Sequence, residues 1–102
     1  MKVVFISGAY RAKNKEGVKA NIQHAREAAE MLWQTGYCVI TPHLNTAFMD
    51  GVASDTAFLE GDIEILKRCD AIYMLKGWES SIGACEELRI AIEYGLEVIY
   101  EP

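Results

Sequence analysis

The sequence predicts an α/β fold, a small three-layer sandwich with a four-stranded parallel sheet. Three observations carry that expectation. Short runs rich in β-branched and aromatic residues alternate with longer segments of helical apolar periodicity, in the order β-α-β-α-β-α-β. Gly36 and Gly95 stand where two of those helical segments should stop. No linker or internal repeat interrupts the pattern, so residues 1–102 are expected to form a single domain. Strands and helices that alternate in this way place helices on both faces of the sheet, in the Rossmann- or flavodoxin-like manner. Ligands then bind beyond the carboxyl ends of the strands, here where the first and third strand-to-helix loops meet.

The first strand is read over Lys2–Ile6, followed by the turn Ser7-Gly8-Ala9-Tyr10-Arg11 and a polar segment, Ala12–Gly17, expected to be mobile. A helix follows over Val18–Thr35, with Val18, Ile22, Ala25, Ala29, Leu32 and Trp33 as its inward stripe. Asn21 falls on that inward side, either as a satisfied structural amide or as a contact to the loops at the strand ends. Tyr37–Thr41 is the second strand. Pro42 opens a long loop to about Ser54, in which His43 follows a strand end and is read either as a residue near a site or, by preference, as one that faces water. Ser54 or Asp55 caps a helix over about Thr56–Arg68, where Gly61 is expected to permit close approach of another group. Asp70 leads into a third strand, Ala71–Leu75. The loop Trp78–Ser81, the helix Ile82–Tyr94 and the strand Glu97–Tyr100 complete the chain.

Composition narrows the function classes. A net charge of −5 argues against a general binder of nucleic acid polymers. The charge is uneven: residues 1–26 hold six Lys/Arg and one acid, the remainder four Lys/Arg and fourteen acids. A local basic segment on an acidic chain suits a small anionic ligand. The run Val3–Ile6 is too short for a signal peptide or a membrane span. Three cysteines without metal-ligand spacing are read as reduced thiols, and the expected location is cytoplasmic. The absence of G-x-G-x-x-G and Walker patterns leaves dinucleotide and nucleoside triphosphate binding unsupported, and no cofactor or metal is expected.

Two acids break the helical pattern. Asp62 sits among Phe58, Ile65 and Leu66; Glu87 sits between Ala84 and Ala91, while Glu86, Arg89 and Glu93 take the wet side. A carboxylate in an apolar stripe is costly without a partner. Two such groups in partly dry surroundings are the equipment for cleaving a glycosidic bond, and a purely structural buried pair is the alternative. The junction of strand, Ser/Gly loop and helix around Trp78–Glu87 also presents free N–H groups suited to an anion.

Taken in order, Ile6-Ser7-Gly8-Ala9-Tyr10-Arg11, Asn21, Gly36, Pro42, Asp62, Cys69-Asp70 and Gly77–Ala84 with Glu87 resemble the nucleoside 2-deoxyribosyltransferase superfamily. The likeness spans nearly the whole chain and is greatest to the short 2′-deoxynucleoside 5′-monophosphate N-glycosidases. It implies Glu87 as the nucleophile at C1′ and Asp62 as the acid at the leaving base. It implies substrate-binding positions at Gly8, Tyr10, Arg11, Ser81, Gly83 and Asn21, with Arg11 and Ser81 at the 5′-phosphate. One departure is visible: Phe5 stands where the family commonly carries a Tyr whose hydroxyl orients the nucleophile, and Phe has no donor. Tyr10, Ser81 or a water is the expected substitute.

Three function classes follow. The first is an N-glycosidase or deoxyribosyltransferase acting on a small deoxynucleotide. The second is a nucleotide-binding or sensing module of the same fold that does not cleave its ligand. The third is a small oligomeric scaffold. A homodimer or higher homo-oligomer is expected in any case, because a four-stranded sheet leaves edges to cover, and Trp33, Tyr94 and Tyr100 exceed what the core needs. Sedimentation at micromolar concentration should show an assembly at least twice the chain mass; a single 11.4 kDa species overturns this.

Overall fold

The computed structural model describes residues 1–102. Its strands are β1 (Val3–Ser7), β2 (Cys38–Ile40), β3 (Ala71–Met74) and β4 (Glu97–Tyr100). Its helices are α1 (Lys15–Gln34), a single turn α2 (Pro42–Asn45), α3 (Asp55–Leu66) and α4 (Ile82–Glu93), with a short 3₁₀ turn over Trp78–Ser80. All strand pairs are parallel, in the order β2-β1-β3-β4, with Val4 opposite both Val39 and Ala71. The α/β sandwich with a four-stranded parallel sheet is therefore the architecture of this chain.

Strand alternation divides the core into two halves. Val4 and Ile6 of β1 point to the side covered by α1, where they meet Ala25, Ala28, Ala29 and Leu32. Phe5 packs on the opposite side with Ile72, Met74, Leu66, Ala84, Leu88 and Ala91. All four residues of β3 are buried, as expected of a central parallel strand covered on both faces. No helix is long and apolar enough to cross a membrane.

Several local expectations are corrected. Asn14 caps α1 by accepting from the Gly17 N–H at 2.9 Å, so Lys15–Gly17 is helical rather than part of a mobile loop. Trp33 is 53% exposed and Ala28 is buried; the inward stripe turns toward the small residue, and the indole at the helix end stays outside. The segment after β2 begins with the turn α2, where Pro42 suits the first helical position. Gly61 admits no close neighbour: a methyl group there would meet open space. Asp70 keeps its expected structural role, its carboxylate accepting from the Val3 N–H at 2.8 Å.

The close approach lies at Gly8. A Cβ at this position would fall 2.7 Å from both Cβ and Cδ1 of the buried Leu75. This contact fixes the turn after β1 against the end of β3, which is the place where the two strand ends face the ligand side. The two glycines make a paired test. Gly8→Ala should destabilise the fold by about 1–3 kcal/mol through overpacking. Gly61→Ala, in an exposed helix interior, should stabilise it by about 0.5–1 kcal/mol. Urea denaturation of both variants beside the parent checks the opposite signs.

Candidate functional site

The parallel sheet reverses its winding between β1 and β3, and a cavity of about 740 Å³ lies beyond their carboxyl ends. Gly8, Tyr10 and Arg11 enter it from the first loop, Asp55, Phe58, Leu59 and Asp62 from α3, and Ser81, Gly83, Ala84 and Glu87 from the start of α4. Pro42, His43, Thr46, Met49 and Asp50 add a further part of the wall. The chain thus brings seven of the eight residues singled out from sequence onto one cavity. The eighth, Asn21, is not part of the lining. Its amide nitrogen donates to the carbonyls of Tyr10 and Arg11, at 3.1 and 3.3 Å, so it secures the first loop from α1. A second depression of the same volume, on the outer side of α3 and α4, holds neither Asp62 nor Glu87.

Glu87 is 8% exposed, on the inward face of α4 as its spacing predicts. Its Oε1 accepts a hydrogen bond from the Ser7 hydroxyl at 2.6 Å, and Ser7 is itself fully buried. Ser7 follows Phe5 by two residues, so strand alternation turns both toward α4. The donor is therefore Ser7, not Tyr10 or Ser81. The Ser81 hydroxyl is engaged differently: as N-cap of α4 it accepts from the Ala84 N–H at 3.2 Å.

Burial dominates the electrostatics. Desolvation pushes the Glu87 pKa up to about 8; the Ser7 hydrogen bond pulls it down and the neighbouring Asp62 charge pushes it further up. Desolvation alone raises Asp62 to about 6. Burial thus disfavours the charge on both carboxyl groups, more strongly on Glu87 than on the half-buried Asp62. Glu86, one residue away, bonds Arg89 on the wet side, which holds its pKa below the usual range.

His43 lies at the cavity and is buried, against the preferred expectation that it faces water. It is 6% exposed, because α2 tucks it under the first loop. Its Nε2–H donates to the Ala9 carbonyl at 3.0 Å, its ring lies 6.1 Å from that of Tyr10, and its Nδ1 has no partner. Burial pushes its pKa down, against the opposite pull of the Ala9 and Gly8 carbonyls. A neutral imidazole thus braces the loop that carries Tyr10 and Arg11. Arg11 in turn pairs with Asp55 across the cavity mouth, and Lys13 does not line the cavity.

A family profile described as a domain of unknown function, DUF4406, matches residues 2–100. The chain belongs to that family. No curated protein matches it by sequence. Among solved structures it is similar to a 2-deoxyribosyltransferase from Bacillus psychrosaccharolyticus, with a TM-score of 0.72 and 17% identity over 96% of this chain and 70% of that one. It is also similar to a 2-deoxyribosyltransferase from Leishmania mexicana, with a TM-score of 0.66 and 17% identity over 98% of this chain. The chain spans 63% of the latter's length. At this identity the likeness is one of fold.

The raised Glu87 pKa has a measurable consequence for stability. Between its ordinary value of 4.5 and about 8, the folded state binds a proton that the unfolded state has lost, so stability falls as pH rises through that window. Glu87→Gln keeps an acceptor for Ser7 and removes the titration. The variant should melt at least about 4 °C above the parent at pH 8.5, the shift that one kcal/mol produces in a domain of this size. The gap should close toward pH 5. Thermal unfolding from pH 5 to 9 checks both the sign and the window.

Proposed function

We propose that this chain cleaves the N-glycosidic bond of a 2′-deoxynucleoside 5′-monophosphate, or transfers its deoxyribosyl group, through Glu87. The observation that carries the reading is a pair of inward-facing carboxyl groups, Glu87 and Asp62, on one cavity beyond the strand ends. The fold shared with proteins described as 2-deoxyribosyltransferases supports it.

In this mechanism an ionised Glu87 oxygen forms a bond to C1′ as the C1′–N bond breaks, its electron pair leaving with the base. Asp62 supplies the proton that the departing base takes up. Water or a second base then attacks C1′ and releases the Glu87 carboxylate. Water loses a proton in that step, and Asp62 is the nearby group to receive it. The Ser7 hydroxyl favours the charged form of Glu87 and occupies Oε1, leaving the other oxygen for attack. Catalysis requires the charge on Glu87, which burial opposes and the Ser7 hydrogen bond favours, and the proton on Asp62, which burial favours. Arg11 is assigned to the 5′-phosphate, with Ser81 and the first turn of α4 beside it.

The raised Glu87 pKa also favours a second reading, in which a protonated Glu87 donates a hydrogen bond to a bound nucleotide that is not cleaved. One pair of variants separates the two. Glu87→Gln should lower base release from a deoxynucleoside monophosphate by at least about 100-fold, roughly 2.7 kcal/mol, with ligand binding largely kept. Glu86→Gln, on the wet side, should leave turnover nearly unchanged. Nucleotide binding without base release in the parent supports the second reading.

A further inference from the structure

The cavity is short of positive charge. Arg11 is its single Lys or Arg, and Asp50, Asp55, Asp62 and Glu87 share the lining. Arg11 is also not free. Its guanidinium is paired with Asp55, the first residue of α3, and it feels the charge of Asp50 as well. Both partners of the pair are mostly exposed, with side chains 71% and 76% accessible, so the contact can open without disturbing the core. Asp55 has a second reason to stay where it is, because a carboxylate in the first turn of a helix is stabilised by the N-terminal dipole. The ion pair therefore joins the first loop to α3 over the cavity, with an acid of the chain occupying the one guanidinium available to an anionic ligand.

We infer that Asp55 competes with a ligand's phosphate for Arg11, and so sets how far this site favours a phosphorylated over an unphosphorylated nucleoside. The inference rests on the proposed assignment of the cavity to a deoxynucleotide but not on its cleavage. A phosphate that takes Arg11 displaces the Asp55 carboxylate and then remains near it. A dianion about 6 Å from one unit charge, in a water-like medium, is disfavoured by about tenfold in affinity. An uncharged nucleoside escapes that repulsion. Asp55 is thus a specificity-determining residue, acting against the ligand that Arg11 attracts.

The test is calorimetric binding of 2′-deoxyadenosine, 2′-deoxyadenosine 5′-monophosphate and inorganic phosphate to the parent, Asp55→Asn and Arg11→Ala, with base release followed in parallel. Asp55→Asn should raise the monophosphate-to-nucleoside affinity ratio about tenfold and tighten inorganic phosphate binding, both effects weakening with added salt. Arg11→Ala should remove most of the preference for phosphate. A ratio that stays constant or falls in Asp55→Asn overturns the inference, since Asp55 would then be orienting Arg11 for phosphate rather than competing with it. Failure of all three ligands to bind parent and variant alike also overturns it. The glycosidase reading fails separately: the affinity ratio can rise as expected with no base released, and base can be released with the ratio unmoved.

Discussion

A carboxyl group surrounded by Ala84, Leu88 and Ala91 of its own helix loses most of its hydration, and a single neutral hydroxyl returns only part of what water supplied. That imbalance at Glu87, held at 2.6 Å by Ser7, governs the rest of the site. It keeps the pKa far above the ordinary carboxylate range in spite of the hydrogen bond. It also explains why β1 must end where it does. Ser7 reaches Glu87 only because β1 stays extended through residue 7, with Phe5 sealing the same face one step earlier. The turn must follow at once, and Gly8 makes it against Leu75 where no side chain could fit.

The loop beyond Gly8 is supported from two sides. Asn21 holds the carbonyls of Tyr10 and Arg11 from α1, and His43 holds the carbonyl of Ala9 from α2. These are polar bonds to the backbone, so the loop's course is fixed while its side chains remain free to face the cavity. Backbone carbonyls near a buried site would otherwise need water to satisfy them. The three consecutive carbonyls of Ala9, Tyr10 and Arg11 are supplied with donors by the protein itself.

Which parts of this arrangement the sequence reveals follows from the length of each pattern. Glu87 and Asp62 interrupt stripes long enough to carry a helical period, so both stand out, and the helices around them fall within a few residues of expectation. Ser7 gives no such signal: a serine after a strand reads as the start of a turn, and its meaning depends on a partner 80 residues away. His43 is hidden because α2 is four residues long, too short to show a face. Trp33 misleads in the opposite sense, since it borders a true stripe whose inner place is taken by Ala28. The missing hydroxyl at Phe5 is visible in the sequence; that Ser7 supplies a hydroxyl in the same region follows only from the packing of β1 against α4.

The stretch between α2 and α3 has a different standing from everything around it. It contributes Thr46, Met49 and Asp50 to the cavity, yet Phe48 and Val52 lie open to solvent and none of residues 46–54 belongs to either half of the core. Phe48 holds a left-handed backbone at φ 61°, uncommon for a residue other than glycine. Glu87, Ser7 and Gly8 are locked to strands and helices, whereas the hydrogen bonds of this rim run only to residues close by in sequence. Insertions, deletions and exchanges in the rim can reshape the entrance while the chemistry beneath keeps its alignment. Such a division allows one scaffold to diversify its ligands during evolution, and makes the same nine positions the natural place to randomise when selecting variants that accept other ligands.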